Sequence, residues 1–285
     1  MAEGANVLQF CPAPGETTGA ALVTHPTVQM ISFTGSSAAG SAIMASAARN
    51  ITKVNLELGG KAPVIVLDDA DVDLAVQTLT MSKTINAGQA CNCAERVYVQ
   101  KGVAHQLREK LAASVGAISQ GDPLGEAPVA MGPVINRAAV QRIEALVDNA
   151  RSLGADVLAG GSALDGPGCH YQPTLLSGTT PDMDIMHREI FGPVIVVNEI
   201  CDLDEGITLA NASDYGLSSS IFTRSLSSAM KAISELRFGE TYVNREHFEA
   251  IQGFHAGVRK SGIGGTDGKH GLYEYTHTQV AYIQT

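Results

Sequence analysis

Residues 53–67 read Lys53-Val54-Asn55-Leu56-Glu57-Leu58-Gly59-Gly60-Lys61-Ala62-Pro63-Val64-Ile65-Val66-Leu67, two short apolar runs broken by a Gly-Gly turn. Runs of this length and β-branched content suit buried strands, 53–58 and 63–67. A lone carboxylate, Glu57, stands at the end of the first run among apolar neighbours. Upstream, 28–33 is another largely apolar run that suits a buried parallel strand. Thr34-Gly35-Ser36-Ser37 then turns into a small-residue helix to about Asn50. Downstream, Asp71 is placed to cap a helix through roughly Asn86, with Ala75, Leu79 and Met81 as buried candidates. Strand and helix keep alternating: 96–100 extended, 103–118 and 136–153 helical, 155–158 extended. Strands at 194–199 and 219–223 and helices at 203–212 and 226–237 follow, with a further helix at 15–24. Alternation of this kind predicts an α/β fold, a parallel or mixed sheet covered by helices.

The last third changes character. The glycine- and charge-rich stretch 253–271 suits a long surface loop, and 278–285 alternates polar and apolar residues as a terminal strand does. A free edge strand is a liability, so this one is expected to pair with a second copy of the chain, giving a homo-oligomer.

Composition narrows the function classes. With 285 residues, 45% apolar and 17% charged, the chain has material for a large core. A formal charge of −10 disfavours nucleic acid and anionic membranes as partners. No apolar run reaches spanning length, so no membrane role and a cytoplasmic location are expected. The five cysteines, 11, 91, 93, 169 and 201, have no regular spacing and read as reduced thiols. Cys91-Asn92-Cys93 lacks a companion ligand cluster, so no metal is expected.

Cys91 follows the loop Asn86-Ala87-Gly88-Gln89-Ala90 and precedes a strand, a bend of the kind where reactive groups sit on rigid scaffolds. A thiol and a desolvated carboxylate are the two groups that covalent thiol catalysis with a hydrolytic second step requires.

Six tetrapeptide-scale motifs, in order, carry a family resemblance: Phe33-Thr34-Gly35-Ser36, Glu57-Leu58-Gly59-Gly60-Lys61, Gly88-Gln89-Ala90-Cys91, Glu189-Ile190-Phe191-Gly192-Pro193, Asp214-Tyr215-Gly216-Leu217 and Arg259-Lys260-Ser261-Gly262. Together they resemble the aldehyde dehydrogenase superfamily from end to end of the chain. The residues around Cys91 and the run 244–257 are most similar to its lactaldehyde/glycolaldehyde dehydrogenase branch. The resemblance implies a partial Rossmann-type NAD-binding portion over 1–58, a catalytic domain over 59–265, and a tail with an oligomerisation strand over 266–285.

It also implies roles. Cys91 resembles the nucleophile that forms a thiohemiacetal and then a thioester, and Glu57 the base that activates the deacylating water. Burial among Leu56, Leu58 and glycines should raise the Glu57 pKa toward neutrality. Gly35, Ser36 and Gly40 match the helix start beside the cofactor, where exposed N–H groups favour phosphate. Glu189 and Phe191 match the pair that grips the nicotinamide ribose, with Arg142 also within reach. Asn92, Glu249 and His255 are candidates for hydrogen-bonding a hydroxyl next to the aldehyde. For these three, ordinary core or surface polarity remains an open alternative. A lone cysteine is ordinarily a small buried hydrophobe, and Cys93 keeps that reading.

The sequence departs from the family at one end. Members carry an N-terminal portion with a Pro-Trp-Asn stretch, the source of an oxyanion-binding asparagine, and a Lys-Pro-Ser stretch that meets the adenosine ribose. Neither is found here, and the chain has no tryptophan. The first strands of the cofactor domain are accordingly expected to be missing, leaving the faces they would cover open. Three readings follow: an NAD-dependent oxidoreductase of a short 2-hydroxyaldehyde, a non-catalytic piece that assembles with a full-length subunit, and a cofactor-independent thiol esterase. The choice of NAD over NADP stays open, because the selecting residues belong to the portion not found.

Overall fold

A computed structural model describes residues 7–285. A five-residue π turn, Gly15–Gly19, runs into helix α1 (Ala20–Thr24). Strand β1 (Met30–Thr34), helix α2 (Ser37–Ala47) and strand β2 (Lys53–Glu57) follow. Next come β3 (Ala62–Val66), α3 (Val72–Thr84), β4 (Ala94–Gln100), α4 (Lys101–Gly116), α5 (Arg137–Ser152), β5 (Asp156–Ala159) and β6 (Thr174–Ser177). The chain continues through α6 (Asp184–His187), β7 (Val194–Ile200), α7 (Leu203–Asn211), β8 (Ser218–Phe222), α8 (Leu226–Glu235), β9 (Glu240–Val243), β10 (Gly262–Ile263) and α9 (Gly268–Glu274).

Two sheets result. The larger has seven strands in the order β5-β6-β7-β4-β3-β8-β9, every pair parallel except β5 with β6. The smaller has the order β1-β2-β10, with β1 parallel and β10 antiparallel to β2. Residues 58–61, the Gly-Gly turn, carry the chain from one sheet to the other. The α/β class expected from the alternation is the one observed.

Side-chain alternation along β3 builds the core. Val64 and Val66 face α3 and α4, meeting Leu79, Leu107 and Leu111. Ile65 faces the other way, toward Ile143 and Leu146 of α5 and Ile207 of α7. Both faces of the large sheet are thus covered, which explains why its strands read as continuous apolar runs. Asp71 caps α3 as expected, accepting from Leu74 N at 3.1 Å. Among the described residues no helix is long and apolar enough to cross a membrane.

Three expectations need correction. Met81 is 38% exposed whereas Ala75 and Leu79 are buried. Two residues beyond Leu79 is about 200° around the helix, so Met81 points outward. β1 is an edge strand with only β2 beside it, and its residues are half-exposed to exposed instead of buried. The 253–271 stretch is no surface loop: it contributes β10, an antiparallel bridge between His255 and Thr266, the buried Ser261, and the start of α9. Glycines make this return possible. A Cβ on Gly262 would stand 2.3 Å from Leu56 O, and Gly264 has φ +81°. Within this chain, residues 278–285 form no strand, and Tyr282 and Ile283 are 95% and 87% exposed.

Candidate active site

Cys91 lies in the loop between the short helical turn Ile85–Gly88 and β4. Asn86, Ala87 and Gly88 take left-handed conformations, a costly sequence that bends the loop sharply. Gln89 locks the bend, donating from Nε2 to Asn86 O at 2.8 Å and accepting from Ile135 N at 2.9 Å. The Cys91 carbonyl packs over Gly60, where a Cβ would approach to 2.3 Å. The β2–β3 turn and the cysteine loop can approach this closely only with glycine at that position. Cys93 is buried and its thiol donates to Ser82 O at 3.0 Å, with burial pushing its pKa up. Its surroundings match the packing role expected of it.

Cys91 sits half-exposed on the wall of a cavity of about 1120 Å³. The same wall carries Gly35, Ser36, Arg142, Glu189 and Phe191, so five of the six residues assigned to a cofactor converge on one space. Ser36 caps α2, its Oγ accepting from Ala39 N at 3.2 Å. Gly40 is the exception. It lies a turn further into α2, packed against Leu58, where a Cβ would be 2.6 Å from a leucine methyl. Arg142, on α5, donates to the carbonyls of Ile190 and Phe191 at 3.2 and 3.3 Å, while its Nε is buried without a partner. Glu189 accepts from Gly60 N at 2.8 Å. Burial, and then the charge of Glu95, raise its pKa to about 7. Phe191 adopts φ +49°.

Glu57 closes β2, paired with Thr34 on one side and Gly262 on the other. It is 6% exposed, and neither carboxylate oxygen has a hydrogen-bond partner. Burial raises its pKa to about 7, against a lowering influence from His255.

The three substrate candidates also come together. Asn92 Nδ2 donates to Glu249 Oε2 at 3.1 Å. His255 Nδ1 lies 4.0 Å from the same Glu249 oxygen. Sequence reasoning missed what completes the cluster. Glu240 Oε1 lies 3.1 Å from His255 Nδ1, and its Oε2 accepts from Tyr242 Oη at 2.9 Å. Tyr242 stacks on His247, whose Nδ1 donates to Asn92 O at 2.9 Å. Burial lowers the His247 pKa to about 4, so its ring is neutral. Burial opposes charge on His255 as well, but the Cys91 thiol and the carboxylates of Glu240 and Glu57 outweigh it and push the pKa up to about 11. His255 is therefore an imidazolium set among acids. Glu240 belongs to no recognisable motif, and only the parallel pairing of β9 with β8 reveals it.

Comparison with known proteins agrees with this geometry. The model of the aldehyde dehydrogenase family matches residues 4–281. The chain belongs to the aldehyde dehydrogenase family. It is 57% identical over 271 residues to lactaldehyde dehydrogenase of Escherichia coli strain K12, covering 95% of this chain and 57% of that protein. The crystal structure of the E. coli lactaldehyde dehydrogenase superimposes with a TM-score of 0.93 over the same shares of the two chains. A 3,6-anhydro-alpha-L-galactose dehydrogenase of Streptomyces coelicolor is 40% identical over 95% of this chain and 56% of its own length. Betaine aldehyde dehydrogenase of Staphylococcus aureus in complex with NAD+ is 35% identical, with a TM-score of 0.88 over 92% of this chain and 52% of that one. This aldehyde dehydrogenase chain thus spans just over half the length of the relatives it matches.

Proposed function

We propose that this chain carries the catalytic centre of an NAD-dependent aldehyde oxidation, with a short 2-hydroxyaldehyde such as lactaldehyde or glycolaldehyde as substrate. The observation that carries the reading is the placement of Cys91 between two chemically different spaces. On one side lies the large cavity walled by Ser36, Glu189 and Phe191; on the other lies the polar cluster of Asn92, Glu249 and His255.

The cavity fits a dinucleotide. It is of the size of cofactor clefts, and its floor at Gly59 is flat because a Cβ there would meet the Glu189 carboxylate at 2.4 Å. Gly35 and Ser36 at the start of α2 would hold phosphate, Glu189 the ribose hydroxyls, and Phe191 the ring. When bound, the nicotinamide supplies a hydride acceptor. NADP fits the same description.

The chain's own residues then divide the work. Cys91 Sγ adds to the aldehyde carbon, forming the C–S bond of a thiohemiacetal as the carbonyl π pair moves to oxygen. Asn92, Glu249 and His255 offer donors and acceptors to a hydroxyl on the neighbouring carbon. After oxidation to the thioester, Glu57 takes a proton from water. The hydroxide adds to the acyl carbon, the C–S bond breaks, and the carboxylic acid leaves. A carboxylate with a pKa near 7 is suited to that step, being largely ionised at slightly alkaline pH yet basic enough to accept the proton.

Homo-oligomers assembled through residues 278–285 are part of the same proposal, as those residues are exposed and unpaired within the chain. The test is a rapid-mix experiment with lactaldehyde and NAD. An NADH burst that Cys91→Ala abolishes supports the reading. Absence of turnover, with no NAD-induced rise in melting temperature and co-purification of a longer homologue, overturns it in favour of a non-catalytic assembly piece. Hydrolysis of an activated ester with no response to NAD or aldehyde would leave only a thiol esterase.

A further inference from the structure

Behind the cavity wall lies a buried ion pair that none of the steps above uses. Lys61 Nζ donates to Glu95 Oε2 at 2.6 Å, and the two side chains are 0% and 4% exposed. Burying two charges is expensive, and replacing such a pair by apolar residues is often neutral or stabilising. Stability alone is therefore a weak account of this one.

The second half of the Glu95 carboxylate points to another. Its Oε1 accepts from Ile190 N at 2.9 Å and from Phe191 N at 3.0 Å. Phe191 is a bulky residue with a left-handed backbone, which persists only where its surroundings hold it. Arg142 takes the carbonyls of the same two residues. The segment that carries Glu189 and Phe191 is thus gripped by its donors on one side and its acceptors on the other. Lys61 links this grip to the catalytic turn. It directly follows Gly60, whose N–H donates to Glu189 and whose Cα packs under the Cys91 carbonyl.

We propose that Glu95 is a positioning residue: anchored by Lys61, it ties down the amides of Ile190 and Phe191 and so places the Glu189 carboxylate and the Phe191 ring in the nucleotide cavity. This rests on the reading of that cavity as the cofactor site. Charged and titratable groups that face Glu189 are Glu95 from β4, Lys61 from the β2–β3 turn, Arg142 from α5 and Tyr215 from the α7–β8 loop. The negative charge of Glu95 is the main electrostatic influence that raises the Glu189 pKa, so its removal has a signature beyond lost packing.

The experiment uses the full chain and the variants Glu95→Gln and Lys61→Met/Glu95→Gln, the second guarding against a single variant that fails to fold around an uncompensated lysine. Carboxyl-labelled glutamate and amide NMR are read without cofactor, with Glu189→Gln to assign the resonance. The expected result is a Glu189 midpoint near 7 in the parent chain. It should fall by about one pH unit in a folded Glu95→Gln variant, and by less in the double variant, which also loses the lowering influence of Lys61, with displaced Ile190 and Phe191 amide signals in both. NAD affinity, by calorimetry, should weaken roughly tenfold or more, the worth of a charge-assisted hydrogen bond. A folded variant with an unmoved Glu189 midpoint and unmoved amides overturns the proposal, as does one that binds NAD as tightly as the parent. If the parent binds no NAD, the cofactor reading fails, and the NMR arm alone decides whether Glu95 positions this segment.

Discussion

His255 Nε2 lies 3.7 Å from Glu57 Oε2, so the buried carboxylate proposed as the base is in direct contact with a charged imidazole. His255 also meets Glu240 through Nδ1 at 3.1 Å, with the Cys91 thiol beside it. One side chain therefore links the nucleophile, the base and the substrate cluster.

Replacing His255 by Gln should move the pH dependence of deacylation upward. The imidazolium lowers the Glu57 pKa, and without it the midpoint should rise above about 7. Pre-steady-state thioester hydrolysis between pH 6 and 9 measures this, and an unmoved midpoint refutes it. Stability responds in a definite sense as well. Both groups have folded-state pKa values above their ordinary ones, 4.5 to about 7 for Glu57 and 6.5 to about 11 for His255. Each contribution is complete below the ordinary value and lost as pH rises through the folded one, across 4.5–7 and 6.5–11 respectively. Between about pH 6.5 and 8, above the window in which neutral His247 gains stability and below that of the depressed Lys61, melting temperature should fall with rising pH in the parent chain, and more shallowly in His255→Gln.

Glu57→Gln should separate the half-reactions. The NADH burst from acylation is retained, while steady-state turnover drops by on the order of 10²-fold or more, the usual scale for a general base. Loss of burst and turnover in equal measure would place Glu57 in acylation as well.

Gly60→Ala should disturb both loops at once, because the added methyl meets the Cys91 backbone carbonyl at 2.3 Å and a main-chain atom cannot rotate aside. Overpacking of this kind costs about 1–3 kcal/mol. In calorimetry that corresponds to a melting temperature lower by several degrees, accompanied by slower thiol alkylation or acylation at Cys91. An alanine variant that matches the parent in both would show that the two loops are not held in this contact.

Ile143→Ala tests how the core supports the cavity. Ile143 is fully buried on α5, next to Arg142, and its side chain fills the space against Gly192, where a Cβ would come within 2.4 Å. Its truncation should cost about 2–5 kcal/mol in denaturant unfolding and loosen the Phe191 segment.

Val280→Lys/Ile283→Lys tests the proposed assembly. Both side chains are exposed in the single chain, so the substitution should leave its melting temperature little changed while sedimentation shifts to a smaller species. A parent chain that sediments as a monomer removes the basis for this interface.

Much of the site was legible in the sequence because its parts lie in short segments whose order alone is distinctive. Cys91 lies in the loop three residues after Gly88, Glu57 ends β2 two residues before the Gly59-Gly60 turn, and Ser36 caps a helix. Strand and helix placement for 53–67, Asp71 and 96–100 followed from local periodicity, since those segments are buried on the faces their patterns imply. The 253–271 stretch was misread because glycine richness is the same in a solvated loop and in one that folds back through tight turns. Distinguishing the two takes the contact with β2 at Gly262.

By itself, the sequence determined the α/β class, the cysteine at the bend, the carboxylate at a strand end and the family, all properties of contiguous residues. Only the tertiary structure decided which distant groups share a field. Glu240 reaches His255 because β9 pairs alongside β8, and Glu95 reaches Ile190 and Phe191 across 95 and 96 residues of chain. Charge and pKa depend on distance and burial in three dimensions, and for such pairs neither can be read from separation along the chain.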